Sequence, residues 1–495
     1  MTEQKKQRSV TLLVDGSVLK RKMIEKGQQQ TPQQVVQYLS RMVQAVRQES
    51  PGSLIYIQYY GARLNEPTKL PISGKVYVEP ELKKGLTHHS VPGAWLNNTW
   101  GRVTYSPERP WILRASSLNK NEVTDKDFVL NERSKGVTTQ LVEQMANYAV
   151  RHPERPLYVY GDIEDMAYAI HTSQWLGAQV KNIEFVDKKP YISDIPLDKE
   201  SRFVDKEKIL QIGQEMKAQH NAEAYLKNLR SQCPIEDKKS VLMIDAGVVR
   251  KYLEQKGYEM TPNNTQKILD QIIETLPERP SKTVIYCAFF TPKKLVSPFP
   301  GETLAMPDAS TDKRILSLPD VEFSAGKTVQ DSLYPYILKK EKWHTPASER
   351  NYKDFEYYFH QSDVDDRIAY DIALFSMDPT VSQLYLVATD GDFAKPVENA
   401  SKYGLPTWLI RVDPRARDLS FRLESGVQAT LQMKTNATGL ITRFAEAETK
   451  REAQRAKSDA KRKKIGKMKR AWARAEDDEY EGIEIMHQKR SHHHK

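Results

Sequence analysis

Two cysteines in 495 residues, Cys233 and Cys287, are too few for a disulfide framework or a zinc site. A reducing cytoplasm is therefore the expected compartment. No run of 18 apolar residues occurs, so no membrane span and no membrane partner is expected. The first residues, "MTEQKKQRS", lack the apolar stretch of a secretory leader, so secretion is not expected. No glycine-rich phosphate loop and no Ser-His-Asp order is found. What remains is a highly charged chain of ordinary apolar content, long enough for two or three domains.

The net charge is +10, and it is unevenly spread. Residues 443–474 carry 13 Lys or Arg against four Asp or Glu, a local surplus of +9, and the acidic run "EDDEYEGIE" (476–484) follows. The body is thus close to balanced and ends in a basic arm, which points to a polyanionic partner such as RNA or another single-stranded nucleic acid. Lys461, Arg462, Lys463, Lys464, Lys467, Lys469 and Arg470 are the candidate contacts. Residues beyond about 438 are rich in helix formers but poor in apolar spacing, as expected of a lone helix or of a tail disordered until bound. A solvated helix that keeps the protein soluble is the plainer reading of the same charge. The terminal "SHHHK" is given no catalytic weight.

One unit occurs twice. "VTLLVDGSVLKRKMIEKGQQQTPQQVVQYL" (10–39) aligns with "SVLMIDAGVVRKYLEQKGYEMTPNNTQKIL" (240–269) at a constant offset of 230. "LIYIQYY" (54–60) lies over "VIYCAFF" (284–290) at the same offset. "DKDFVLNERSKGVTT" (125–139) and "LYVYGDIED" (157–165) lie over "YKDFEYYFHQSDVDD" (352–366) and "LYLVATDGD" (384–392) at offset 227. Each copy reads as alternating apolar strands and amphipathic helices, which implies an α/β fold with a parallel sheet and helices on both faces. Thr31-Pro32 and Thr261-Pro262 read as helix starts. The insertions 61–124 and 291–351 read as loops with short strands, 187–201 begins as a loop, and 205–229 reads as one helix.

In open parallel sheets, ligands bind beyond the carboxyl ends of the strands. In the second copy that edge collects acids. Asp245 ends "VLMID", Asp365 and Asp366 open the helix "DDRIAYDIALF", and Asp390 and Asp392 end "LYLVA". Like charges at such spacing repel unless a cation lies among them, and hard oxygen ligands suit magnesium or manganese. Asp245, Asp365, Asp390 and Asp392 are the expected ligands. Asp366 is also a candidate catalytic residue; Asp371, Arg367 and Thr389 are secondary. Turn and capping roles are the bland alternative for each acid taken alone. His88-His89 reads as a surface pair. Trp95, Trp100 and Trp111 read as packing of the first insertion, with base stacking as the alternative.

With those motifs in order, the second copy resembles a NYN domain of the PIN-like superfamily of metal-dependent ribonucleases. "MIDAGVV" is similar to the family's first strand and leading Asp, "DVDDRIAYD" to its acidic helix start, and "ATDGDFAKPVENASKYGLPTWLI" to its closing strand, helix and strand. The resemblance implies two tandem PIN-like domains, over 8–202 and 239–438, joined by a helical linker, 203–238, with a basic tail from 439 to 495. It also implies RNA phosphodiester hydrolysis leaving 5′-phosphate and 3′-hydroxyl ends, and PIN-like pairing suggests an intramolecular pseudo-dimer or a homo-oligomer. The first copy keeps Asp15, Asp162 and Asp165 but has Thr138 and Thr139 where the second has Asp365 and Asp366, and so reads as a degenerate site. The other functional class is a nucleic-acid-binding or scaffold protein whose NYN folds no longer cut.

Overall fold

A computed structural model describes residues 8–26, 31–63, 68–69, 76–77, 91–105, 111–113, 128–130, 132–187, 189–196, 202–290, 295, 313–330, 335–342, 345–346, 349–413 and 420–433. The basic tail, with its seven candidate contacts, and the pair His88-His89 lie outside the described residues, as do the side chains of Trp100 and Trp111.

The first half runs β1 (Ser9–Asp15), α1 (Gly16–Glu25), α2 (Pro32–Glu49), β2 (Leu54–Arg63), a small ribbon of β3 (Thr68–Lys69) and β4 (Val76–Tyr77), β5 (Ala94–Tyr105), β6 (Trp111–Leu113), β7 (Phe128–Leu130), β8 (Glu132–Lys135), α3 (Thr138–Arg151), β9 (Leu157–Tyr160), α4 (Ala167–Trp175), β10 (Val180–Val186) and β11 (Lys189–Asp194). Helices α5 (Lys206–Ala218) and α6 (Ala222–Gln232) link it to the second half. That half runs β12 (Lys239–Asp245), α7 (Ala246–Gln255), α8 (Pro262–Thr275), β13 (Lys282–Phe290), β14 (Glu322–Gln330), β15 (Tyr336–Leu338), β16 (Phe355–Tyr357), β17 (Phe359–Ser362), α9 (Val364–Met377), β18 (Val381–Val387), α10 (Ala394–Lys402), β19 (Thr407–Arg411), α11 (Phe421–Gly426) and β20 (Ala429–Gln432).

The chain is α/β, with two seven-stranded, mostly parallel sheets ordered β8-β5-β2-β1-β9-β10-β11 and β17-β14-β13-β12-β18-β19-β20. Position by position this is one order used twice. The central strands β1 and β12 are buried on both faces, which is why they read as continuous apolar runs rather than alternating ones. The sheets differ at one edge. β11 returns antiparallel to β10 as a hairpin, whereas α11 carries the chain across so that β20 runs parallel to β19.

Helices begin where their caps stand. The Thr31 hydroxyl accepts from the Gln34 amide at 3.3 Å while the Gln34 side chain accepts from the Thr31 amide, and Thr261 caps α8 through the Asn264 amide at 3.3 Å. Three readings are corrected. The insertions contain full sheet strands, β5 and β14, each parallel to its neighbour. The segment after 187 forms β11. The linker helix is two helices, broken before Asn221, whose side chain caps α6 through the Ala224 amide at 3.0 Å. This linker is firmly attached. Arg230, nearly buried, donates to the backbone carbonyls of Val381, Ser376, Asp378 and Tyr403.

One face of each sheet is covered by its own helices, α1 and α2 in the first half and α7 and α8 in the second. A third apolar core belongs to both halves. It joins Leu141, Val142 and Met145 of α3, Tyr168 and Ile170 of α4, Ile209 and Met216 of α5, and Tyr370, Leu374 and Met377 of α9. A small antiparallel sheet, β16-β15-β6-β7, is also built from both halves, with Ile337 opposite Ile112.

Candidate metal centre

Strands β12 and β18 are neighbours in the sheet and end at the same edge, and α9 begins beside them. At that edge Asp365, Asp390 and Asp392 each offer a carboxylate oxygen within 4.8 Å of the others. Oxygens on opposite sides of a magnesium ion stand about 4 Å apart, so this is the scale of a shared ion. Two unit charges 4.8 Å apart repel by about 3.5 kcal/mol at an effective dielectric near 20, before solvent screening lowers it. The donor set is all carboxylate oxygen, which fits a hard divalent cation and excludes a thiolate or imidazole site.

Local geometry fixes each ligand. Asp390 caps a short turn, Gly391–Phe393, by accepting from the Asp392 amide at 3.2 Å. Gly391 lets the turn pass close to Ser420: a Cβ there would lie 2.4 Å from the Ser420 hydroxyl and 3.1 Å from its Cβ, so a larger residue would require Ser420 to move. Asp245 caps α7, its Oδ1 accepting from the Gly247 amide at 2.8 Å. Its carboxyl is pushed up to about 7 by burial and then by Asp365 and Asp390, against the Gly247 amide and Arg250. Asp245 therefore lies within electrostatic reach of the triad without joining its tight cluster. Thr389 supplies a backbone carbonyl that accepts from the Ser420 amide at 3.0 Å.

Three candidates fall elsewhere. Asp371 is buried and accepts from the hydroxyls of Tyr168, in the first half, and Tyr286, in the second, at 2.8 and 2.9 Å. Burial pushes its carboxyl up to about 7, against the pull of those two hydroxyls and of Arg367 and Arg202. Its role is to join the halves. Arg367 is buried too, pairing with Asp363 through Nη2 at 2.6 Å and Nε at 2.7 Å and lying 4.6 Å over the Tyr168 ring, so it is not presented to phosphate. Asp366, 6% exposed, is not one of the three converging acids, and burial, then the charges of Asp165, Asp363, Asp365 and Asp15, raise its carboxyl well above the ordinary range.

In the first half Asp15 is nearly buried and takes four donors: the Ser17 amide at 2.8 Å, the Ser17 hydroxyl at 2.5 Å, the Val18 amide at 3.1 Å and the Thr138 hydroxyl at 3.0 Å. Asp162 accepts from the Glu164 amide at 3.2 Å. Asp15, Asp162 and Asp165 are brought to the corresponding edge of the first sheet, but form no cluster as tight as the triad among the described residues.

Sequence reasoning missed the contacts made across the halves. Asp363 begins α9 in a left-handed conformation, φ 75°, and accepts from the Tyr168 amide at 3.0 Å. The Thr139 hydroxyl donates to the Asp392 carbonyl at 3.3 Å, and the Asn399 side chain to Glu143 at 2.5 Å. The i to i+4 spacing of Asp363 and Arg367 was the one available signal. No protein-family model and no curated protein matches this chain.

Proposed function

We propose that the chain is a metal-dependent endoribonuclease whose working site is the acid cluster of the second half. The observation that carries the reading is the triad Asp365, Asp390 and Asp392, delivered by two separate segments to the carboxyl edge of a parallel sheet. These three would hold magnesium or manganese, with Asp245 beside them to orient a bound water. When bound, such an ion supplies an activated water and neutralises charge on a phosphodiester. The chain's own part is to hold the carboxylates in place through the Asp390 turn and the fixed start of α9. Asp245, a carboxylate within electrostatic reach of the triad, is the group placed to take a proton from that water.

On this reading both halves are NYN-like, the first is degenerate, and the basic arm 443–474 adds affinity for RNA in the cytoplasm. The motifs of the second half and the repeated strand order support it. Among the described residues no helix is long and apolar enough to cross a membrane. The test is cleavage of a single-stranded RNA with Mn2+, its loss with EDTA, and a parallel assay on single-stranded DNA. Binding of RNA without cleavage in any divalent metal would instead favour a non-cutting NYN scaffold.

A further inference from the structure

Three polar side chains of α3, Thr139, Glu143 and Asn147, are spaced four residues apart. On a helix that spacing sets them along one face, over about 12 Å. All three meet the same stretch of the second half. The Thr139 hydroxyl donates to the Asp392 carbonyl at 3.3 Å. Glu143 accepts from the Asn399 side chain at 2.5 Å, and Asn147 accepts from the Tyr403 hydroxyl at 3.2 Å. The rungs are themselves braced. The Asn147 side-chain amide donates to the Glu143 carbonyl at 3.1 Å, and Lys402 donates to the Asn399 side chain at 3.2 Å. The result is a polar ladder between the halves. It follows α10 and ends on the backbone of Asp392, one of the three converging acids.

Packing alone does not ask for such a ladder. At offset 227, Glu143 and Asn147 correspond to Tyr370 and Leu374 of α9, which belong to the shared apolar core. At the same two positions, one helix meets the opposite half through apolar bulk and the other through a carboxylate and a carboxamide. Thr139 and Glu143 are nearly buried, and burying polar groups is costly unless they are hydrogen-bonded. The polar version lies on the side that leads to the triad. There Asp392 is delivered by the short turn Gly391–Phe393, and its amide is held by the Asp390 carboxylate. Thr139 holds the same residue by its carbonyl. Both peptide groups of Asp392 are thus engaged, and the rotamers open to its carboxylate follow from the backbone.

We propose that the first half positions the metal site of the second: Thr139, braced by Glu143 and Asn147, is a positioning residue that holds Asp392 where it can share an ion with Asp365 and Asp390. The half that carries threonines in place of two acids thereby becomes part of the other half's site. The inference rests on the reading of the triad as a metal site and does not require that the chain cut RNA. Carboxylates held in place before the ion arrives lose less freedom on binding, so metal affinity is the quantity the ladder governs.

The test is Mn2+ binding to the full, metal-stripped chain, read by electron paramagnetic resonance, with Asp390→Asn marking the ion held by the triad. Thr139→Val keeps the shape and removes the donor. It should weaken that ion about three- to tenfold, the scale of one hydrogen bond, and Thr139→Ser should restore it. Glu143→Leu should weaken it less, and Glu143→Gln, which still accepts from Asn399, should not. In the metal-free chain, hydrogen exchange over residues 390–397 should be faster in Thr139→Val than in wild type. Ser173→Ala is the control, because it removes another bond across the halves, to Tyr370 at 2.8 Å, that is not part of the ladder. It should leave Mn2+ affinity unchanged even where it lowers the melting temperature. Wild-type affinity in Thr139→Val, an equal loss in Ser173→Ala, or a wild type that binds no Mn2+ through Asp390 would each overturn the inference. Mn2+ bound with the Thr139 dependence but without cleavage would instead overturn the nuclease reading alone.

Discussion

At the scale of single residues, charge at the sheet edge trades stability for function. Asp390→Asn should abolish Mn2+-dependent cleavage while leaving the melting temperature in EDTA unchanged or higher, because it removes repulsion within the triad. Asp15→Asn should leave cleavage within a few-fold of wild type, and RNA gels of both variants check the contrast. Two buried carboxyls at the junction predict a pH effect. Glu143 is pushed up to about 7 by burial, against its bond from Asn399, and Asp371 likewise to about 7. A folded state that holds these protons more tightly than the unfolded chain is favoured below the ordinary carboxylate range. That advantage fades as pH rises toward 7. Urea unfolding at pH 5 and pH 7.5 should show the loss, and Glu143→Gln should remove up to about 3 kcal/mol of the difference. The triad was legible because the opening "DD" and the "DGD" turn each follow from local sequence. Asp366 and Asp371 were not, since which way a helical side chain faces depends on a packing partner the local pattern does not name.

At the scale of elements, the helices and central strands were legible from apolar runs and caps, while two of the longest strands were not. In β14 the buried positions are Ser324, Gly326 and Thr328, so the alternation is real but is not one of hydrophobicity. The break between α5 and α6 carries neither Pro nor Gly, and only the Asn221 cap marks it. Gly213 shows how closely α5 packs on the first half, because a Cβ there would lie 2.1 Å from the Val150 carbonyl oxygen. Alanine would gain about 1 kcal/mol of helix propensity, yet an overlap with backbone cannot be relieved by a rotamer change. Gly213→Ala should therefore destabilise by about 1–3 kcal/mol net in urea unfolding.

At the scale of the molecule, the shared core makes the halves one cooperative body. Residues of α3, α4, α5 and α9 exclude water together, so calorimetry should give a single transition rather than two. A fragment ending at residue 232 should bind hydrophobic dyes that the full chain ignores. The arm should govern affinity rather than chemistry. If about five of its cations meet phosphate, truncation after residue 439 should flatten the salt dependence of RNA binding by about 3–4 units while turnover at saturation stays constant. The repeat was legible at this scale because its offsets are constant. The joint was not, because contacts such as Tyr168 with Asp371 join residues about 200 positions apart.

The joint between α3 and α9 also sets a timetable for synthesis. The apolar face of α3 leaves the ribosome roughly 210 residues before α9 begins. At about 5–20 residues per second, that face waits about 10–40 s for its partner on every nascent chain. During that interval the face that α9 will cover stays open to water and to other apolar surfaces. A chain refolded whole from denaturant has both helices at once and escapes the wait.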